Sequence, residues 1–204
     1  MEKHPLDLEP ASRRVVRLMA ALPDEALDLP TPCGDATVGD LLDHVAKAAL
    51  AFRAAARKDP LPPASFGDAA DLGPDWRTRV PEQVLALADA WRPAEAWSGM
   101  TQAGGVDLPG ELAGVVALDE LVVHGWDLAV ATGQPAGYDG PGLEAVLACV
   151  EHFRGSGVEG LFGPAVPVAD DAPLLDRILG IAGRHPGWQP PGRVRVDSGG
   201  GGAR

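Results

Sequence analysis

Apolar residues recur at helical spacing between Leu8 and Leu22, at Val15, Val16, Leu18, Met19 and Leu22. They share one helix face, and Pro23 predicts its end. The following PDEALDLPTPCGD is rich in proline, aspartate and glycine and predicts a loop. Thr37, with Asp40 three positions on, has the form of a short capping box. Behind it Val38, Leu41, Leu42, Val45, Ala49 and Phe52 form a second stripe, expected to run to about Arg57. Residues 59–74 are rich in proline and glycine and predict a surface connection. A third helix is expected from about Pro81 to Trp91, with the proline in its first turn. Gly104-Gly105, between short apolar pieces, allows a small hairpin or an irregular crossing between Trp97 and Leu108.

From Pro109 to Gly133 the run LAGVVALDELVVHGWDLAVAT is apolar almost all round. Such a helix is buried on most sides, and Gly133 is placed to close it. Further helices are expected over roughly Gly142–Arg154 and Pro173–Gly183, the latter with Asp171 as N-cap. Helices joined by loops, without a run of strands, predict an all-α bundle. The last stretch, QPPGRVRVDSGGGGAR, carries too little apolar content to fold. The chain therefore divides into one domain over 1–188 and a disordered tail over 189–204.

Composition narrows the function classes. A net charge of −12 removes the basic footprint that nucleic acids and anionic membranes require. The Arg13, Arg14 and Arg17 group is expected to be a solvated helix face. No apolar stretch approaches the ~20 residues of a membrane span, and the N-terminus lacks a signal-peptide core, so a cytoplasmic location is expected. Cys33 and Cys149 are too few for a disulfide framework and are expected as free thiols. Cys33 precedes the second helix, whose N-terminus could lower its pKa, but an ordinary loop thiol is the expectation. Fourteen Arg against three Lys, with abundant Ala, Gly and Pro, suggest a high-GC genome.

The candidate chemistry lies on the long apolar helix. Glu120 and His124 are four apart and share one face with Ala113, Val116, Ala117 and Ala131. A carboxylate facing the core must be compensated. An isolated Glu-x-x-x-His can merely close a polar gap, but His44 lies at the edge of the stripe on the second helix. Two imidazoles and one carboxylate on two inward-facing helices also form an open divalent site. Both interpretations stand on the residues alone. Asp127, three beyond His124, is placed to orient it or to be a plain polar residue near the helix end. Trp126 suits the core or a pocket wall. His4, His152 and His185 receive no role.

TPCGDATVGDLLDHVA, DELVVHGWDLAVATG and APLLDRILGIAGRHPGW resemble the DinB-like superfamily, over most of residues 10–188. Within it they are similar to the branch of the metal-binding N-terminal domain of mycothiol-dependent maleylpyruvate isomerase. The resemblance implies a DinB/YfiT-like four-helix bundle, with extra short helices. It also implies a divalent metal at His44, Glu120 and His124: zinc first, with nickel and iron as alternatives. Two departures accompany it. Ala36 stands where the family motif usually has Trp, and 204 residues leave no room for the C-terminal domain that contributes to catalysis in the full isomerase. The expectation is therefore a thiol-using metal site rather than maleylpyruvate isomerisation itself.

Three functions follow as expectations. The first is a thiol S-transferase or thiol-assisted isomerase, with mycothiol as cosubstrate if the source is actinobacterial and a small electrophile as substrate. The second is a hydrolase using a metal-bound water, with Asp127 or Asp43 as base. The third is a non-catalytic metal- or ligand-binding module. Oligomeric state stays open, a homodimer through helix faces included.

Overall fold

The computed structural model describes residues 6–59, 61–63, 65–156 and 163–191. Among these, seven helices and one hairpin follow one another: α1 (Glu9–Ala20), α2 (Val38–Ala56), α3 (Trp76–Ala90), α4 (Ala94–Trp97), β1 (Met100–Ala103), β2 (Val106–Pro109), α5 (Gly110–Thr132), α6 (Leu143–Ser156) and α7 (Leu174–Ile181). Short 3-10 turns occupy Asp24–Asp28 and Ala69–Asp71. Helix α2 packs on α3 and α5, and α1 packs on the same two, which closes a four-helix bundle. Helix α6 lies on α5 and carries α7. No described helix is long and apolar enough to cross a membrane.

The elements follow from local chemistry. Thr37 caps α2 through a full capping box: its Oγ1 accepts from the Asp40 N–H at 3.2 Å, and Asp40 Oδ2 accepts from the Thr37 N–H at 2.9 Å. Val38, Leu41 and Leu42 are fully buried beneath it. The tightest turn, Gly104-Gly105, has positive φ at both positions, as a two-residue hairpin with right-handed strand twist requires. Helix α5 is sealed by Gly133 at φ 71°, whose neighbour Gln134 donates its N–H to the Ala129 carbonyl at 2.9 Å. Two tryptophans lock the bundle end. Trp91 Nε1 donates to the Phe52 carbonyl at 3.1 Å and Trp97 Nε1 to the Trp91 carbonyl at 2.6 Å.

Three expectations are corrected. Helix α3 begins at Trp76, so Pro81 lies inside it; Trp76, Val80, Val84 and Leu87 are buried at helical spacing, and their packing outweighs the one hydrogen bond the proline lacks. Helix α7 is preceded by Pro173 rather than capped by Asp171, which is exposed in the turn before it. The arginine group of α1 is not uniformly solvated. Arg13 and Arg17 are exposed, but Arg14 lies on the core-facing side with Ala11 and Leu18. It donates to the Ala136 carbonyl at 2.7 Å and packs against Gly125 of α5, where a Cβ would come within 2.7 Å of its guanidinium. Of the expected tail, residues 192–204 lie outside the described residues.

Candidate metal centre

Helices α2 and α5 carry the candidate ligands to one point. His44 Nε2 lies 3.0 Å from Glu120 Oε2, and His124 Nε2 lies 3.3 Å from the same oxygen. The three donor atoms fall within 4.8 Å of one another, and the imidazoles meet edge to face at 4.7 Å. Two neutral nitrogens and one anionic oxygen, converging from two rigid helices with one side open, fit a divalent cation. Metal identity is not determined by this donor set.

The surroundings orient the ligands. Asp127 Oδ2 accepts from His124 Nδ1 at 3.0 Å, which leaves Nε2 facing Glu120. Arg184, just beyond α7, grips the same carboxylate from behind, with Nε 3.3 Å from Oδ1 and a terminal nitrogen 3.0 Å from Oδ2. Asp127 is completely buried, and this two-point contact supplies the countercharge. Phe66 stacks on the other face of His44 at 4.2 Å. Its loop is pinned to α2 by Ala69 N–H to Asp40 Oδ1 (2.8 Å) and Asp68 N–H to Asp43 Oδ2 (3.0 Å). Only glycine fits at position 67, because a Cβ there would overlap the Asp40 carbonyl and the His44 amide.

Electrostatics follow from burial and these contacts. Burial pulls the His124 pKa down, but hydrogen bonds to Asp127 and Glu120 outweigh it and raise it to about 10. Burial pushes Glu120 and Asp127 up, yet both are held below their ordinary carboxylate values, Glu120 by His124 and His44, Asp127 by His124 and Arg184.

A second cluster, Cys33, His124 and Asp127, has donor atoms equally close together. It does not fit a metal, because the Arg184 guanidinium already fills the cation position: it lies 3.1 Å from Cys33 Sγ and 3.0 Å from Asp127 Oδ2. Burial raises the Cys33 pKa despite nearby His124 and Arg184, contrary to the lowering a helix N-terminus would give.

The open side faces a cavity of about 840 Å³ between the α2–α5 surface and the chain around Arg184 and Trp188. Asp119 lines it too. Its carboxylate is buried, and Oδ1 has no hydrogen-bond partner. Burial, with Glu120 beside it, raises its pKa to about 7. The structure thus brings His44, Glu120, His124 and Asp127 together, and adds Phe66, Asp119 and Arg184, which the sequence had not singled out. Asp43 points elsewhere and is tied to Lys47 at 2.7 Å. Trp126 belongs to the core. Among the described residues both cysteines are free thiols.

Comparison with known proteins finds relatives of this chain. Two uncharacterized proteins of Mycobacterium tuberculosis, MT0763 and Rv0738, are each 27% identical over 173 residues, covering 82% of this chain and 90% of the relative. The crystal structure of the mycothiol-dependent maleylpyruvate isomerase superposes with a TM-score of 0.57 at 20% identity, covering 72% of this chain and 66% of that one. That likeness establishes a DinB-like bundle as the fold. The model of the mycothiol maleylpyruvate isomerase N-terminal domain matches residues 8–129, which contain His44, Glu120, His124 and Asp127. The chain belongs to the family of the mycothiol maleylpyruvate isomerase N-terminal domain.

Proposed function

We propose that the protein is a divalent-metal-dependent enzyme that uses a low-molecular-weight thiol, mycothiol, to transfer to or isomerise a small electrophile. The observation that carries this is the convergence of His44 Nε2, Glu120 Oε2 and His124 Nε2 on one point at a wall of the cavity. Zinc is the first candidate metal, with nickel or iron as alternatives, and the cytoplasm of an actinobacterium is the expected setting.

When bound, the metal supplies a Lewis acid that lowers the pKa of a coordinated thiol and keeps it thiolate at neutral pH. The protein does the rest. His44 and His124 would hold the metal through their Nε2 atoms from two helices, and Glu120 would offset one of its positive charges. Asp127, fixed by Arg184, holds His124 in the tautomer with Nε2 free. Phe66 and Trp188 supply apolar wall to the space beside the reacting atoms. The hydrolase alternative has less support. Asp43 is committed to Lys47 and the Asp68 amide, and Asp127 to Arg184 and His124, so neither is free to take a proton from water.

Elemental analysis of protein purified without chelators tests the site. About one equivalent of metal is expected in the parent, and little in His44→Ala and His124→Ala. No metal in the parent after reconstitution with zinc, nickel or iron would overturn the proposal. For the thiol, the cobalt form should gain a thiolate-to-cobalt absorption band on adding mycothiol.

A further inference from the structure

The cavity wall has an unusual charge pattern. Among its described lining residues Arg184 is the only arginine, and there is no lysine. A guanidinium has five N–H groups, and four of these already serve Asp127 twice, Cys33 Sγ and the Ala182 carbonyl. Arg184 is therefore spent on the protein and has little left to grip a substrate carboxylate. The same wall carries Asp35, Asp40, Asp119 and Glu120. Asp40 is consumed by the capping box and the Ala69 amide, and Glu120 by the two imidazoles.

Asp119 is different. It is almost fully buried (relative exposure 5%), lines the cavity, and its Oδ1 has no hydrogen-bond partner among the described residues. A buried carboxylate without a donor costs more than it can return to stability, so its cost calls for a partner that the fold does not supply. The net charge of −12 reinforces the sign of the preference at long range.

We propose that Asp119 is the substrate-recognition carboxylate of this cavity, accepting a hydrogen bond from an ammonium, amide N–H or hydroxyl of a neutral or cationic small molecule, and that dicarboxylates are discriminated against. This deepens the functional reading above, on which it rests for the identity of the cavity as a substrate site.

Three small thiols sharing one anchoring sulfur test it on the cobalt-loaded protein: cysteamine, with an ammonium; 1-propanethiol, with no donor beyond sulfur; and mercaptosuccinate, with two carboxylates. Cysteamine should bind about tenfold more tightly than mercaptosuccinate, and Asp119→Asn should remove most of its advantage over propanethiol with metal content unchanged. Asp119→Ser serves if the asparagine variant does not fold. A second readout needs neither thiol nor turnover: ethanolamine should raise the melting temperature of metal-free and zinc-loaded parent but not of the variant, and succinate should raise neither. If no thiol perturbs the cobalt spectrum, the thiol reading fails while the ethanolamine result still decides for or against Asp119. Tighter binding of mercaptosuccinate, an unchanged cysteamine preference in Asp119→Asn, or a loss of turnover with binding intact would each overturn the proposal.

Discussion

Asp127 Oδ2 lies 3.0 Å from His124 Nδ1, and the same oxygen lies 3.0 Å from Arg184. An ionised carboxylate only accepts, so Nδ1 carries the hydrogen and Nε2 is left to face Glu120. The guanidinium keeps that carboxylate ionised in a fully buried position. Asp127→Asn should therefore weaken metal binding by roughly 10–100-fold, and Arg184→Met should do the same through Asp127. Competition against a chelator of known affinity measures this. Wild-type affinity in both variants would show that the chain behind His124 does not orient it.

Proton linkage gives a prediction with a definite sign. In the metal-free protein the folded His124 pKa is about 10 against an unfolded 6.5. Its stabilisation is therefore fully present below the unfolded value and is lost as pH rises toward the folded one. Asp127 works in the opposite direction: its depressed pKa stabilises above the unfolded value of 3.8 and is lost as pH falls below it. Urea midpoints of chelator-treated protein should fall across the alkaline interval, and the fall should be shallower in His124→Ala. Metal uptake near neutral pH should release about one proton from His124. Calorimetry in buffers of different ionisation enthalpy reads that proton.

Thr37→Ala removes one half of the α2 capping box and should cost about 1 kcal/mol, read by chemical denaturation. Asp40→Ala should cost more than an ordinary cap, because Asp40 Oδ1 also holds the Ala69 amide and, through that loop, Phe66 over His44. A lower metal affinity in Asp40→Ala than in Thr37→Ala would separate the loop's contribution from the helix's.

Gly114 of α5 lies directly beneath Trp97, and a Cβ there would overlap the indole. Gly114→Ala should displace Trp97 from its hydrogen bond to Trp91 and cost about 1–3 kcal/mol by overpacking. A thermal midpoint and a tryptophan emission maximum unchanged from the parent would refute this packing.

Much of the fold was legible because periodicity and punctuation agreed. The α2 stripe behind Thr37, the Gly104-Gly105 turn and the Gly133 closure of α5 each combine a pattern with a local chemical reason. Helix α3 departs from the sequence expectation because Pro81 reads as a start signal, although Trp76, Val80 and Val84 already carry the helical stripe. His44, Glu120, His124 and Asp127 could be named because helical spacing relates the last three and the stripe of α2 holds the first. Arg184 could not, since 57 residues separate it from Asp127 and no helical register links them. Phe66 sits in a loop placed by long-range contacts to Asp40, Asp43 and Lys47 of α2. Asp119 did leave a signal: in a helix apolar almost all round, polar residues in its middle tend to be buried, and Asp119 is one of four polar side chains between Leu118 and Leu128.

The Arg184–Asp127 clasp has a consequence for how the chain matures. All three candidate ligands have been synthesised by residue 124, but the guanidinium that neutralises Asp127 arrives sixty residues later than His124. A nascent bundle thus holds this buried acid on its contact with His124 alone until the polypeptide after α7 wraps back. Capture of the proposed ion and the docking of that last segment would then be coupled. Amide protons of α7 should accordingly exchange more slowly once the metal is in place, although none of the three ligands belongs to that helix.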